Sequence, residues 1–358
     1  MLPAATLSGR SAYSTPPQRF PVDLRLDANE GPSPSTDILA ALARLTPEDL
    51  RRYHRPVHLE ARLAELHGVD PSRVVVTNGG DDAIDRVCRA VLEPRRTAVL
   101  HTPTFEIIPA AAGLAGAELV EHAWLDAEFP TSRFIASIDD RAGLAAVVSP
   151  NNPTGSTIPR DALSEIVAAT GGRGCCLMVD LAYVEFADDD PTHWLIGHDH
   201  VVVIRTFSKA FGLAGARVGY AVASAEVAGW LRTVGGPFPV SAMSIAAAEA
   251  ALAGPLPATV STVRDERGAL ARTLHDAGVR VAPSQGNFIF ATLPNARLFR
   301  DALAAQGVGV RGFHESSPLA GSVRITLPGD RDTFRRLARA VERALAVHTE
   351  TELEALLP

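Results

Sequence analysis

The chain has 358 residues, too many for one hydrophobic core and suited to two domains. Hydrophobic residues make up 46% and charged residues 21%, which excludes a disordered chain, and a formal charge of -7 without a basic block argues against nucleic-acid binding. No apolar run reaches bilayer-spanning length, and the opening MLPAATLSGRSAYSTPPQRF lacks the basic-then-apolar pattern of a signal peptide, so a cytoplasmic protein is expected.

Residues 1–35 read as an extended arm, with frequent Pro and Ser and no helical period. VHLEARLAELH (57–67) has the period of an amphipathic helix. Strands RVVVT (73–77), TAVLH (97–101), AAVVS (145–149), CCLMVD (175–180) and VVVIRT (201–206) then alternate with helical stretches at 81–92, 105–116 and 160–170. This alternation predicts an α/β domain with a mostly parallel sheet, and strands apolar throughout fit a sheet covered by helices on both faces. Beyond 245 the texture changes. Helices at 242–254, 259–278, 297–308 and 331–345 are interleaved with strands at 279–284, 287–293 and 322–327. The expected division is an arm over 1–35 packed on the small domain, a large domain over 36–245 and a smaller α+β domain over 246–358. TETELEALLP at the end reads as a short acidic tail.

Cys88, Cys175 and Cys176 make no disulfide framework and read as buried small apolar residues in a reducing compartment. Cys175 and Cys176 are adjacent in a strand, so their side chains should face opposite ways. HDH (198–200) reads as a surface turn, and no metal site is expected.

Ligands of open α/β sheets gather at the carboxyl ends of the strands, so polar residues following strands are the candidates. TNGGDDAI (77–84) places Gly79 and Gly80 between strand and helix, where backbone N–H groups can face an anion. An ordinary turn capped by Asp81 accounts for the same residues. SPNNPTG (149–155) forces an extended backbone and a turn that can aim an amide into the crevice. Asp180 ends an apolar strand, a costly place for a carboxylate without a cation; it suits holding a ring nitrogen protonated, or capping. In TFSKAFGLAGARVGY (206–220), Lys209 follows another strand among cations that would lower its pKa, as an imine-forming amine requires. Thr206, Ser208 and Arg217 can hydrogen-bond a phosphate. Arg324, within the apolar strand SVRITL, should face an anion, and Arg311 can join it; a structural salt bridge is the alternative for each.

From Asp27 to Ala346 these motifs resemble the fold-type-I pyridoxal-phosphate aminotransferases, and within them the histidinol-phosphate aminotransferase branch. The resemblance implies an aspartate-aminotransferase-like fold. It implies a phosphate held by the N–H groups of Gly80 and Asp81 in the Gly79–Asp82 turn, together with Thr206, Ser208 and Arg217. Phe105 would stack on the pyridine ring, Asn152 and Tyr183 would meet its hydroxyl, and Asp180 its nitrogen. Lys209 would form the covalent link, and Tyr53 would reach the cofactor phosphate of the neighbouring subunit, making the enzyme a homodimer. Arg324 would grip the substrate anion, with Arg311, Asn29 of LDANEGP (26–32) and Tyr13 beside it, and His54 and Arg55 as additional candidates.

The implied reaction is a ping-pong transamination, with L-histidinol phosphate and 2-oxoglutarate as the expected pair. The chain departs from the branch at Phe105, where tyrosine is usual, and at Leu181, where an acidic residue is usual. Aromatic aminotransferases, amino-acid phosphate decarboxylases and oxidases or cyclases use the same lysine and aspartate, and the fold does not choose among them. A regulator with a DNA-binding helix-turn-helix would need more chain before residue 36, and no G-x-x-x-x-G-K-[ST] loop supports nucleotide chemistry.

Overall fold

The computed structural model describes residues 3–9, 12, 14–125 and 128–356. The strands are β1 (Leu24–Leu26), β2 (Val74–Thr77), β3 (Thr97–Thr102), β4 (Glu118–Ala123), β5 (Ala142–Val148), β6 (Cys176–Asp180), β7 (Val201–Thr206), β8 (Gly219–Val222), β9 (Arg280–Val281), β10 (Phe288–Thr292), β11 (Val308–Gly312) and β12 (Ser322–Thr326). They form a seven-stranded sheet, β2-β8-β7-β6-β5-β3-β4, and a five-stranded sheet, β1-β11-β12-β10-β9. In the larger sheet β7, β6, β5, β3 and β4 run parallel, and β8 is antiparallel to both its neighbours.

The alternation of side chains explains why these strands are apolar from end to end. Leu177, Val179, Val201 and Val203 enter one packed layer, and Cys176, Met178, Val202 and Ile204 enter the other. Asp180 and Thr206 continue the second series by one step each, so both reach the same face at the carboxyl end of the sheet. Leu181 belongs to the first layer, so the side chain that departs from the family pattern points away from Asp180. Cys175 and Cys176 lie in different layers, as their adjacency predicts, and all three thiols are free and buried. Burial pushes Cys88 and Cys175 up to about 12.

In the smaller sheet the helix Arg331–Leu345 buries Leu337, Ala340, Val341 and Ala344, a helical spacing that turns one stripe onto the core. Parallel pairing of β1 with β11 ties the N-terminal segment to this sheet.

Several elements differ from the sequence expectation. β4 carries Glu118, Glu121 and His122 and lies at the edge of its sheet, half exposed, so it shows no apolar signal. β8 starts inside the glycine-rich stretch, and β11 is diluted by Gly309 and Gly312. The helix expected over 105–116 spans only Ile107–Leu114, because Phe105 and Glu106 belong to the turn before it. VRVAPS yields just the two-residue β9. The acidic tail contains the helix Glu350–Glu354, started by a capping box between Thr349 and Glu352. The arm contains β1 and a 3-10 turn at Ala5–Leu7.

Candidate active site

The carboxyl ends of β2, β3, β5, β6 and β7 converge on a cavity of about 850 Å³ that also receives residues from β11 and β12. At the end of β2 the helix Gly79–Val91 begins at Gly79, with Asn78 as N-cap rather than Asp81. Gly79 has φ +80, a conformation that favours glycine, and a Cβ there would lie 2.7 Å from Arg217 Nη2 and push the guanidinium aside. The first-turn N–H groups have no partner within the helix and form an anion-binding end. Arg217 Nη2 donates to Asp81 Oδ2 at 3.0 Å, which carries the cation to the same place. Ser208 N–H donates to Thr206 Oγ1 at 3.1 Å, and Thr206 Oγ1 donates to Ser208 Oγ at 2.9 Å, both residues being buried.

Asp180 is buried behind the cavity. Burial pushes its carboxyl up to about 7, opposed by the Ala182 N–H, which donates to Oδ1 at 3.0 Å, and by the charge of Lys209. Lys209 Nζ lies 5.6 Å from the centroid of the Tyr183 ring. The N-terminal segment crosses directly over this lysine. A Cβ at Gly31 would lie 1.7 Å from the Lys209 carbonyl oxygen, and one at Gly212 would lie 2.1 Å from the Pro32 oxygen.

That crossing positions Asn29, a buried residue at φ 54. Its Nδ2 donates to Tyr183 Oη at 3.1 Å, while its backbone N–H donates to Thr326 Oγ1 and its Oδ1 accepts from the same hydroxyl. Asn287 Nδ2 donates to the Glu30 carbonyl at 3.1 Å and fixes the segment further. Arg324 Nη1 donates to Asn152 Oδ1 at 2.5 Å, and its Nη2 donates to the Asp27 carbonyl at 2.9 Å. Arg311 stands opposite Arg324 in the β11–β12 register, so the two project from the same side of the sheet.

The cavity therefore brings together Asn29, Gly80, Asp81, Phe105, Asn152, Asp180, Tyr183, Thr206, Ser208, Lys209, Arg217, Arg311 and Arg324. Gly79 does not line it and packs against Arg217, which does. Tyr53 does not line it; 81% exposed, it stacks on Phe238 with ring centroids 4.6 Å apart. Tyr13 lies outside the described residues.

Sequence reasoning missed three neighbours. Glu106 lines the cavity and meets Arg311. Asn287 holds the N-terminal segment. Buried His101 shares a short polar network with the turns after β3 and β5. Each acts through a partner far away in sequence, although Glu106 directly follows the flagged Phe105.

Comparison with known proteins agrees with this geometry. The family model of aminotransferase class I and II matches residues 23–341. A histidinol-phosphate aminotransferase of Xanthomonas euvesicatoria is 36% identical over 337 residues, covering 90% of each chain. Histidinol-phosphate aminotransferase 2 of Pseudomonas aeruginosa is 34% identical over 330 residues, covering 87% of each. Among solved structures, the histidinol-phosphate aminotransferase of Sinorhizobium meliloti in complex with pyridoxal-5'-phosphate superposes with a TM-score of 0.82 at 27% identity, covering 90% of this chain and 91% of that one. An aspartate aminotransferase of Thermus thermophilus shares the fold, with a TM-score of 0.73 at 23% identity over 89% of this chain and 92% of that one. The chain belongs to the class I and II aminotransferases, in the branch of the histidinol-phosphate aminotransferases.

Proposed function

We propose that this enzyme carries pyridoxal phosphate and transfers the amino group of L-histidinol phosphate to or from the 2-oxoglutarate/glutamate pair. The observation that carries the reading is one cavity in which a lysine, a buried carboxylate and a glycine turn closed by an arginine face two arginines in register. The names of the X. euvesicatoria and P. aeruginosa relatives and the ligand in the S. meliloti structure support it.

The residues fit the cofactor. A Cβ at Gly79 would push aside the Arg217 guanidinium that lines the cavity, and the Asp180 carboxyl, pushed up to about 7, calls for a cation. In this reading Gly79, Gly80, Asp81, Thr206, Ser208 and Arg217 hold the phosphate, Phe105 stacks on the ring, and Asn152 and Tyr183 meet the ring hydroxyl. Bound there, pyridoxal phosphate supplies an electron-accepting ring that makes the bonds at an amine's α-carbon labile. Asp180 keeps a proton on the ring nitrogen. Lys209 holds the cofactor and, when released, carries a proton to and from the reacting carbon, a transfer typically worth ~10²–10⁴ in rate. Arg324 and Arg311 receive the substrate phosphate, which offers more acceptor oxygens than one carboxylate. Asn29 fixes Tyr183 and stands beside the substrate, with Tyr13 as a further contact.

The active unit is a homodimer in which Tyr53 serves the neighbouring cofactor phosphate. The exposure of Tyr53, and of the apolar side chains Leu39, Leu50, Val57 and Met243, supports this reading. Residues 36–245 make the cofactor domain and 246–358 the small domain; the pairing of β1 with β11 supports assigning the arm to the latter. Free buried cysteines support a cytoplasmic setting.

Replacing Lys209 with alanine is expected to abolish both turnover and the visible band of the lysine-linked cofactor; near-normal activity would overturn the reading. L-histidinol phosphate added alone should bleach that band in the intact enzyme, and 2-oxoglutarate should restore it. A band left unchanged by the phosphate donor would discard this substrate.

A further inference from the structure

We propose that Glu106 is an exchangeable counter-ion of Arg311, released when a phosphate-bearing ligand enters, and that it makes use of the second arginine selective for phosphate. The inference rests on reading Arg311 and Arg324 as the anion-binding pair. The two arginines are directly opposite on adjacent antiparallel strands, so their like charges raise each other's energy unless an anion is near. Arg324 Nη1 and Nη2 donate to two neutral acceptors, the Asn152 side chain and the Asp27 carbonyl. Arg311 Nη2 instead donates to a carboxylate, Glu106 Oε1, at 3.3 Å.

The direction of the exchange follows from burial. The Arg311 side chain is 11% exposed and that of Glu106 is 53% exposed. Glu106 can turn into water and keep its charge solvated, whereas Arg311 cannot follow it. The pair also crosses the cavity, because Glu106 comes from the turn after β3 and Arg311 from β11. A ligand carboxylate satisfied by Arg324 leaves the pair intact. Swapping one carboxylate for another at Arg311 would gain little. A phosphate, with a charge of about -1.5 to -2 and three acceptor oxygens, can span both guanidinium groups and repay the release of Glu106. Glu106 is thus a positioning residue acting through Arg311.

The test is Glu106→Gln in the cofactor-loaded enzyme, with inorganic phosphate and acetate as probes in titration calorimetry. Phosphate should bind roughly three- to fivefold more tightly, the scale of a partly exposed ion pair, while acetate, with one charge and too small to span both arginines, should gain clearly less. The KM of the phosphate donor should fall by a similar factor, with kcat within about twofold of the parent. In an Arg311→Gln background the same Glu106→Gln change should have no effect on phosphate. Unchanged or weakened phosphate binding in Glu106→Gln would overturn the proposal, as would an equal gain without Arg311, which would make the effect one of general charge. The phosphate titration reads the exchange without turnover. A failure of L-histidinol phosphate as substrate would therefore refute the proposed function while leaving the exchange to be judged on its own.

Discussion

Asp180 ends β6 as a carboxyl group in an apolar layer, and burial raises its pKa from 3.8 to about 7. A carboxyl whose folded pKa is raised stabilises the protein fully below its unfolded value and loses that contribution as pH rises through the folded one. Cofactor-free protein should therefore lose stability between about pH 4 and about pH 7. The Asp180 share is on the order of 4 kcal/mol, an upper figure for a bare carboxylate. Buried Glu266, also pushed up to about 7 by burial, contributes in the same direction. The comparison that isolates Asp180 is thermal unfolding of the cofactor-free parent and of Asp180→Asn at pH 5 and pH 8. The variant should gain on the parent at the higher pH, and parallel curves would deny Asp180 this cost. The same oddity made Asp180 legible in the sequence, because a charge closing an apolar run demands a reason. Lys209 and Arg324 were legible on similar grounds. Glu106 was not, since its meaning depends on a partner 205 residues away.

At the scale of elements, the buried interior strands of the parallel run announced themselves by continuous apolar stretches, and the polar residues after them marked the site. The edge strand β4 and the short strands β8 and β11 were hidden, because charge or glycine interrupts their pattern and only their neighbours in the sheet stabilise them. His101 shows how the hidden part supports the visible part. Burial brings its pKa down to about 4, so the ring is neutral at working pH. Nδ1 then donates to the Pro103 carbonyl at 3.2 Å, and Nε2 accepts the Val148 N–H at 3.1 Å. Asn151 Nδ2 donates to the same Pro103 carbonyl at 3.1 Å. One ring thus ties the turn that carries Phe105 to the turn that carries Asn152. His101→Leu keeps much of the volume but strands the Val148 N–H. It should cost about 2–4 kcal/mol in urea unfolding, from two buried hydrogen bonds lost and a donor left unpaired. An unfolding free energy equal to the parent's would remove this link between the loops.

At the scale of the whole molecule, the two sheets share one cavity, yet one proposed cofactor ligand, Tyr53, lies outside it and is 81% exposed. A second copy resolves this if each site takes Lys209 from one chain and Tyr53 from the other, and such sharing predicts complementation between two damaged chains. Tyr53→Phe keeps the stack on Phe238 and removes only the hydroxyl, so cofactor affinity should fall about tenfold or more, the scale of a hydrogen bond to a charged group. Lys209→Ala should be inactive. In a heterodimer of the two, isolated with a different tag on each chain, one site would carry both lesions and the other neither. Assayed at a cofactor concentration that saturates the parent but not Tyr53→Phe, the heterodimer should recover about half the parent activity, since one of two sites is whole. If Tyr53 served its own chain, no site would combine an intact lysine with an intact tyrosine. The heterodimer would then show no more activity than its Tyr53→Phe chain alone, and the shared site would have to be abandoned.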